Sequence, residues 1–291
     1  MSLKEGDELW RPSAQQASAT CLASFMTWLR QERELSFDDY DALWRWSVND
    51  LDAFWRAIWD YFDIQADGSP EPVLASRSMP GARWFPAARL NYAEHVFRQR
   101  TPERPALLAR GEGNELRQVS WEELEHAVGA LAATLKALGV QAGDRVASFM
   151  PNVPETVIAF LACASIGAVW SSCSPEMGAS VVLDRFQQIE AKVLFAVDSY
   201  TYNGKLFDRR DVVRELLDEL PTVQQVIHVV GPAASAQPDW RGYRRWEASV
   251  SDAAPLVFER VPFEHPLWIV YSSGTTGLPK AMVHGHGGIV L

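Results

Sequence analysis

Residues 271–280, YSSGTTGLPK, combine residue types that suit the binding of a polyphosphate. Serine and threonine donate hydrogen bonds without bulk, glycines let backbone amides approach a ligand closely, and lysine supplies positive charge. The candidate phosphate-binding residues are Ser272, Ser273, Gly274, Thr275, Thr276, Gly277 and Lys280. Taken alone, the short string SGTTG is also compatible with a Ser/Gly-rich turn that binds no ligand.

The segment differs from the two common glycine-rich patterns for nucleotide phosphates. The P-loop pattern G-x-x-x-x-G-K-[ST] needs a glycine directly before the lysine, and Pro279 has that position here. The dinucleotide pattern G-x-G-x-x-G does not match either. The motif therefore excludes a site of the kinase-like or GTPase-like P-loop type.

Histidine and cysteine side chains elsewhere in the chain form no recognisable catalytic set. His284 and His286 have H-x-H spacing, which on a strand directs both side chains to one face, as metal ligands require. No third ligand is identifiable, so we expect no metal site. Cys163 and Cys173 lie in apolar or strand-like segments without a neighbouring base, and we expect them to pack in the core. We identify no catalytic residue within this chain.

The composition is typical of a globular protein that does not bind polyanions over a broad surface. The chain is 47% hydrophobic and 22% charged. Its 27 basic and 37 acidic residues give a formal charge of −10, which disfavours broad contact with nucleic acid or anionic membranes. We therefore expect small-molecule substrates and no nucleic-acid partner.

Cysteine use and hydropathy favour a cytoplasmic protein without a membrane span. The 3 cysteines show no C-x-x-C spacing and are expected to be reduced. The N-terminal residues MSLKEGDELW lack the apolar segment of a secretory signal. The longest apolar run, residues 156–170, is shorter than the roughly 20 residues that a membrane span requires.

Residues 1–65 are predicted to form a helical region. Ser13 and Gln16 have the spacing of a capping box, for a helix that runs to about Arg33. After Asp50, apolar and aromatic residues recur with helical spacing, which is typical of a packing surface rather than of a ligand site. The segment ADGSPEP then breaks the pattern and is expected to be a linker.

Residues 66–291 are predicted to form a mainly parallel sheet with helices on both faces. Asn91 and Ser120 are placed to cap two helices, and two short strands around the turn GEGNE lie between them. Continuous apolar runs separated by helical segments then indicate buried strands joined by right-handed crossovers. The predicted strands are residues 145–150, 168–172, 192–197, 225–230 and 267–272, and the predicted helices are residues 155–166, 178–190 and 209–219. The fold class is therefore α/β, and the phosphate-binding segment follows the last strand, where open parallel sheets bind ligands.

The complete segment resembles the signature of the adenylate-forming acyl-CoA synthetase superfamily, [ST]-[ST]-G-[ST]-[ST]-G-x-P-K. Every fixed position is met from Ser272 to Lys280, whereas Ala281 stands where most members have glycine. The segments WSVNDLDAFWRAIWDYF and WFPAARLNYAEHVF are similar to the short-chain branch of this superfamily. Within that branch, MPGARWFPAARLNYAEH and YSSGTTGLPKAMVHGHGG most resemble the acetoacetate–CoA ligase subgroup, in which Ala281 is expected.

The resemblance implies a reaction in two steps. A carboxylate, acetoacetate in that subgroup, attacks the α-phosphate of ATP in the presence of Mg²⁺, and coenzyme A then displaces AMP. The resemblance also implies that Ser272 to Gly277 and Lys280 bind the β- and γ-phosphates, and that His284 lines the site. The segment YTYNGK matches a loop in which acetyl-CoA synthetases carry arginines near the CoA nucleotide, and here only Lys205 remains as a candidate CoA-binding residue.

The resemblance further implies a longer parent protein, because members of the superfamily are much longer than 291 residues. The final residues GHGGIVL read as the opening of a helix. We therefore expect a truncated chain, with residues 66–291 as an incomplete AMP-binding domain and the C-terminal domain absent. Such a chain is expected to be inactive as a ligase on its own.

Two other functions remain open on the sequence alone. One is a ligase for acetate, propionate or another short acid, which turnover across acids would distinguish. The other is a non-catalytic nucleotide-binding or assembly module that uses the N-terminal helices as a docking surface. The sequence predicts no particular oligomeric state.

Overall fold

The computed structural model of the chain describes residues 4–233, 237–272 and 277–291. Its helices, numbered along the chain, are α1 (Ala14–Ser18), α2 (Cys21–Arg33), α3 (Tyr40–Asn49), α4 (Leu51–Tyr61), α5 (Tyr92–Phe97), α6 (Trp121–Ala137), α7 (Pro154–Ser165), α8 (Ala179–Phe186), α9 (Arg210–Glu219), α10 (Trp246–Ser249) and α11 (His286–Val290). Its strands are β1 (Leu74–Ser76), β2 (Arg83–Trp84), β3 (Arg89–Leu90), β4 (Leu107–Ala109), β5 (Arg117–Val119), β6 (Arg145–Phe149), β7 (Val169–Cys173), β8 (Val193–Val197), β9 (Ser199–Tyr202), β10 (Lys205–Asp208), β11 (Gln225–Val229), β12 (Tyr243–Arg245), β13 (Val261–Pro262), β14 (Pro266–Ser272) and β15 (Lys280–Gly285).

A seven-stranded sheet forms the centre of the described part of the chain, in the order β12-β11-β8-β6-β7-β14-β15. Neighbouring strands are parallel except for β14 and β15, which form an antiparallel pair. The apolar runs predicted as strands are β6, β7, β8, β11 and β14, and the predicted helices between them are α7, α8 and α9. The predicted α/β class with a mainly parallel sheet is confirmed.

Helices cover both faces of this sheet. Apolar residues of α6 and α7 pack with Trp170 and Phe195 on one face, and those of α8 and α9 pack with Phe149 and Leu194 on the other. Successive strand residues point to opposite faces, so a strand that is buried on both faces needs apolar residues at every position. This burial explains why the central strands are visible in the sequence as unbroken apolar runs.

The predicted starts of α5 and α6 are confirmed by their capping contacts. Asn91 Oδ1 accepts a hydrogen bond from the Ala93 amide at 2.9 Å. Ser120 and Glu123 form a reciprocal capping box, in which each side chain accepts from the backbone amide of the other residue. These contacts satisfy amides that have no partner within their own helix.

The first predicted helix is two helices, although both of its predicted ends are confirmed. Ser13 and Gln16 form the capping box of α1, and α2 ends at Arg33. Between them, Thr20 has an extended backbone, and its hydroxyl accepts from the Ala23 amide at 3.2 Å. Thr20 therefore caps a second helix, whereas the sequence predicted one continuous helix from Ser13 to about Arg33.

Aromatic stacking connects the N-terminal helices to the segment that precedes β14. The ring centroids of Trp59 and Phe85 lie 4.7 Å apart, and those of Phe85 and Phe263 lie 5.0 Å apart. All three side chains belong to one buried apolar cluster, and Phe85 is fully buried. Trp59 lies on α4, among the aromatic residues that recur with helical spacing after Asp50. Its burial agrees with the prediction that these residues form a packing surface.

The segment YTYNGK forms a β-hairpin rather than a loop. Strands β9 and β10 pair in antiparallel register, with Tyr202 opposite Lys205. Asn203 and Gly204 form the turn with φ values of 49° and 70°. Positive φ at both positions is the geometry of a two-residue hairpin turn for which Asn-Gly is the favoured sequence.

The predicted core cysteines lie in the interior of the protein. Cys163 and Cys173 are buried free thiols, and burial raises the pKa of each, that of Cys173 to about 11. Both thiols are therefore protonated at neutral pH, as expected for core residues. Within residues 4–233, 237–272 and 277–291, no helix combines the length and apolar character needed to cross a bilayer.

Candidate functional site

The end of β14 and the start of β15 bring two candidate phosphate-binding residues together. Ser272 and Lys280 are direct partners in the antiparallel register. Cross-strand partners project from the same face of a sheet, so these two side chains share a face. The candidates Ser273, Gly274, Thr275 and Thr276 lie outside the described residues.

Lys280 and Gly277 are accessible to a ligand. Lys280 is exposed and, among the described residues, forms no ion pair. Gly277 has a φ of 130°, and a Cβ built on it would meet no atom within 4 Å. The glycine is required by this backbone conformation rather than by crowding. An exposed cation and an accessible glycine backbone therefore lie three residues apart in the sequence, at positions 280 and 277.

The position in the sheet also suits a ligand site. Strand β14 runs parallel to β7, so Ser272 lies at the carboxyl edge of the parallel strands. Ligands of open parallel sheets bind beyond this edge. The strand order reverses around β6, since β7 lies on one side of it and β8 on the other.

His284 projects from the same face as Lys280 but lies further along the strand. It is exposed, and its ring is 6.4 Å from that of its cross-strand partner Trp268. Four residues of strand correspond to about 13 Å, so His284 and Lys280 do not reach the same phosphate group. A role of His284 in lining the site therefore concerns a different part of a ligand.

His284 and His286 do not share a strand. His286 is the first residue of α11 and is fully buried, whereas His284 is exposed on β15. His286 Nδ1 accepts a hydrogen bond from the Tyr92 amide at 3.1 Å. Within the described ranges, no group of three His, Cys, Asp or Glu side chains is placed to hold a metal ion.

Lys205 lies far from the Ser272–Lys280 pair. It is exposed on the hairpin that follows β8, and β8 is separated from β14 by β6 and β7. Since neighbouring strands lie about 4.8 Å apart, β8 is about 14 Å from β14 across the sheet. The turn before Lys205 is held by Glu112, whose two carboxylate oxygens accept from the amides of Asn203 and Gly204 at 2.8 Å each.

A cavity of about 620 Å³ lies beside this hairpin, at the carboxyl ends of β6, β8 and β11. Its charged lining residues are Glu112, Arg117, Glu155 and Glu247, and Arg117 is paired with Glu155 at 2.7 Å. The lining therefore carries more negative than positive charge. A second cavity of about 820 Å³ lies at the start of α6 and contains none of the predicted site residues.

Asp198 is a buried polar residue at this edge that the sequence analysis missed. Its Oδ1 accepts from the Gly231 amide at 2.8 Å, and its Oδ2 approaches His228 Nε2 within 3.4 Å. Burial lowers the pKa of His228, although Asp198 opposes this effect. The sequence could have indicated Asp198, because it is an aspartate directly after an apolar strand. Its hydrogen bond to Gly231 joins the loop after β8 to the loop after β11.

Comparison with known proteins shows the family to which the chain belongs. Residues 94–291, more than half of the chain, match the family described as AMP-binding enzyme. The chain belongs to the AMP-binding enzyme family. Residues 40–96 of this AMP-binding enzyme chain also match the acetyl-coenzyme A synthetase N-terminus family.

Similar proteins of the AMP-binding enzyme family include synthetases for different acids. An acetoacetyl-coenzyme A synthetase of Rhizobium meliloti (strain 1021) is 42% identical over 285 residues, which cover 97% of this chain and 44% of the relative. A malonamoyl-CoA synthetase of Penicillium aethiopicum is 33% identical, and the match covers 98% of this chain and 42% of the relative.

A solved structure is similar over almost the whole chain. The acetoacetyl-CoA synthetase from Streptomyces lividans superposes with a TM-score of 0.93 at 49% sequence identity, covering 97% of this chain and 44% of that one. The AMP-binding enzyme chain therefore spans less than half the length of the relatives that it matches.

Proposed function

We propose that this chain supplies the phosphate-binding part of an ATP-dependent acid–thiol ligase. The observation that carries the proposal is the pairing of Ser272 with Lys280 at the carboxyl edge of the sheet, beside the accessible backbone of Gly277. We include Ser273, Gly274, Thr275 and Thr276 in the proposed site because they join these two ends in the sequence.

The proposed role of these residues is to neutralise the triphosphate. In the first step a carboxylate attacks the α-phosphate of ATP, so one anion must approach another. The Lys280 ammonium and the hydroxyl and amide donors offset charge on the β- and γ-phosphates and stabilise the departing pyrophosphate. Mg²⁺ would accompany the triphosphate as its counter-ion, and we assign no residue of this chain to it.

Coenzyme A is the proposed acceptor in the second step, in which its thiol displaces AMP from the acyl-adenylate. Lys205 is the residue that we propose for contact with its nucleotide, because this lysine is exposed on a hairpin beside a cavity. The net negative lining of that cavity favours contact through Lys205 at its rim rather than burial of phosphate groups within it.

Acetoacetate is the proposed acid. The acetoacetyl-CoA synthetases of Rhizobium meliloti and Streptomyces lividans, at 42% and 49% identity, favour it over the malonamoyl-CoA synthetase at 33%. The match of residues 40–96 to the acetyl-coenzyme A synthetase N-terminus keeps acetate and propionate as alternatives. We further propose a cytoplasmic location, where all three thiols stay reduced.

The division of the chain into residues 1–65 and an AMP-binding region of residues 66–291 is also a proposal. A family match that starts at residue 94 supports placing the AMP-binding region after the N-terminal helices. The Trp59–Phe85–Phe263 contacts connect the two regions through a shared core.

A hybrid enzyme tests the proposed function. This chain is joined to the part of the Streptomyces lividans protein that it does not match, and thioester formation is measured with acetoacetate, acetate, propionate and malonamate. We expect turnover with acetoacetate, and a loss on the order of 10²-fold on Lys280→Ala. A folded hybrid that forms no thioester, or that keeps full turnover without Lys280, would contradict the proposal.

A further inference from the structure

The carboxyl end of α8 binds both flanks of the Ser272–Lys280 pair. Carbonyl groups in the last turn of a helix lack the usual partner four residues further on, and the Arg185 carbonyl accepts from the Gln188 amide at 3.2 Å. The Arg185 carbonyl accepts from the Tyr271 hydroxyl at 2.7 Å, and the Asp184 carbonyl accepts from Gln188 Nε2 at 2.5 Å. Tyr271 is the strand residue directly before Ser272, so the helix end contacts β14 one residue before this candidate.

Gln188 makes the matching contact on the other flank. Its Nε2 also donates to the Pro279 carbonyl at 3.1 Å. A side-chain amide has two N–H groups, so one can serve the helix end while the other serves the residue directly before Lys280. A single helix end therefore holds the residue before Ser272 and the residue before Lys280.

The environment of Tyr271 keeps its hydroxyl a hydrogen-bond donor. Burial raises the pKa of Tyr271 to about 12, so the hydroxyl stays protonated throughout the physiological range. The Arg185 guanidinium lies 5.7 Å from the centre of the Tyr271 ring. This cation–π contact adds a second link between α8 and β14.

These contacts leave the ligand-binding face free. Alternate residues of a strand project to opposite faces, so Tyr271 points toward α8 while Ser272 and its partner Lys280 point away from it. A change at Tyr271 or Gln188 can therefore alter the position of the strand ends without touching a bound phosphate.

We propose that Tyr271 and Gln188 are positioning residues that fix Ser272 and Lys280 for the phosphates of a nucleoside triphosphate. This inference rests on the proposed function of that pair. Each residue contributes one hydrogen bond between the helix end and a strand end. Loss of one such hydrogen bond is expected to change the equilibrium constant for MgATP binding by about 5-fold.

The test uses the 291-residue chain with Tyr271→Phe and Gln188→Met, which remove the donor and nearly keep the shape. Tyr202→Phe and Gln187→Met are matched controls, since both residues are exposed. Backbone amide exchange is measured at Gly277, Leu278, Lys280 and Ala281, and affinity for MgATP is measured by calorimetry. We expect each test variant to accelerate this exchange and to weaken MgATP binding by about 5-fold, with both controls unchanged.

Lys280→Ala distinguishes failure of the inference from failure of the proposed function. If Lys280→Ala weakens MgATP binding while Tyr271→Phe and Gln188→Met bind as the wild type does, the positioning role is wrong and the proposed function stands. A lower melting temperature of the two variants with unchanged affinity would also overturn it, because that result indicates a purely structural role. The same variants are compared in the hybrid enzyme described above, and if the wild-type forms of both the chain and the hybrid fail to bind MgATP, both the proposed function and the positioning role fail.

Discussion

At the scale of single residues, Asn91 shows why an asparagine stands within the segment WFPAARLNYAEHVF, which resembles the short-chain synthetases. Its side chain is fully buried, and Nδ2 donates to the carbonyls of Ala164 and Glu259 at 2.8 Å each. Oδ1 caps α5 through the Ala93 amide. Asn91 therefore joins the start of one helix, the end of α7 and the segment before β13. The sequence predicted the cap but not the two distant carbonyls, because these come from residues far along the chain.

Replacement of Asn91 tests this function of its amide. Asn91→Ala is expected to lower the free energy of unfolding by about 2–4 kcal/mol, since buried carbonyls lose their donors. Asn91→Asp keeps the cap but places a carboxylate against those carbonyls, so it is expected to be at least as harmful at pH 8 and less so at pH 5. Urea unfolding measures both variants, with exposed Asn152→Ala as the control. An effect of Asn91→Asp equal to that of the control would contradict this account.

His286 is expected to make stability depend on pH. Burial, with a smaller effect of His265, lowers the pKa of His286 to about 3. Its unfolded value is about 6.5, so between about pH 6.5 and 3 the unfolded chain binds a proton that the folded chain does not. The contribution of neutral His286 to the free energy of unfolding is therefore complete above pH 6.5 and decreases as the pH falls toward 3.

The His286→Asn variant isolates this effect, because asparagine retains a hydrogen-bond acceptor but does not titrate. Between pH 7.5 and 5, the wild type is expected to lose about 2 kcal/mol more of its free energy of unfolding than the variant loses. Urea unfolding at the two pH values gives the difference. Equal losses in the two proteins would show that His286 is not the titrating group.

At the scale of elements, burial decides which strands are predictable. Strands β6 and β8 are almost entirely buried, and their apolar runs predict them. Strand β15 was missed because it is exposed along most of its length and lacks such a run. The hairpin of β9 and β10 was missed for another reason, since the Asn203–Gly204 turn signal was present and was interpreted as part of a loop.

Glu112 is expected to control the opening of that hairpin turn. Its hydrogen bonds to Asn203 and Gly204 hold the pKa of this carboxyl below its usual range. Glu112→Ala should therefore accelerate the exchange of these two amides by roughly 5- to 10-fold, with little change in the core. Nuclear magnetic resonance measures the exchange, and Glu115→Ala, also exposed, is the control. Unchanged exchange rates in Glu112→Ala would contradict the assignment.

At the scale of the whole molecule, the N-terminal helices share a core with the rest of the chain through the contacts of Trp59, Phe85 and Phe263 described above. An ion cluster links distant parts of residues 66–291, where Arg260 pairs with Glu94 at 2.7 Å and with Asp67 at 2.6 Å. The sequence predicted the two regions separately, because helical spacing and apolar runs report local structure. Neither pattern carries information on which distant residues meet.

The shared core predicts cooperative unfolding of the two regions. Unfolding curves from tryptophan emission, to which the two regions contribute equal numbers of tryptophans, and from far-ultraviolet circular dichroism should coincide. Phe85→Ala should lower the free energy of unfolding by about 3–5 kcal/mol and shift both curves together. Separate transitions would contradict a common core and would favour two independent domains.

The claim that Ser272 and Lys280 hold nucleotide phosphates is tested most directly by calorimetric titration of the chain with pyrophosphate. Lys280→Ala removes the exposed cation at the strand end, whereas Lys205→Ala removes a lysine of the hairpin that follows β8, a strand about 14 Å from β14 across the sheet. We predict that Lys280→Ala weakens pyrophosphate binding by about 10-fold or more and that Lys205→Ala leaves it unchanged. Equal affinity of the wild type and Lys280→Ala would contradict the account.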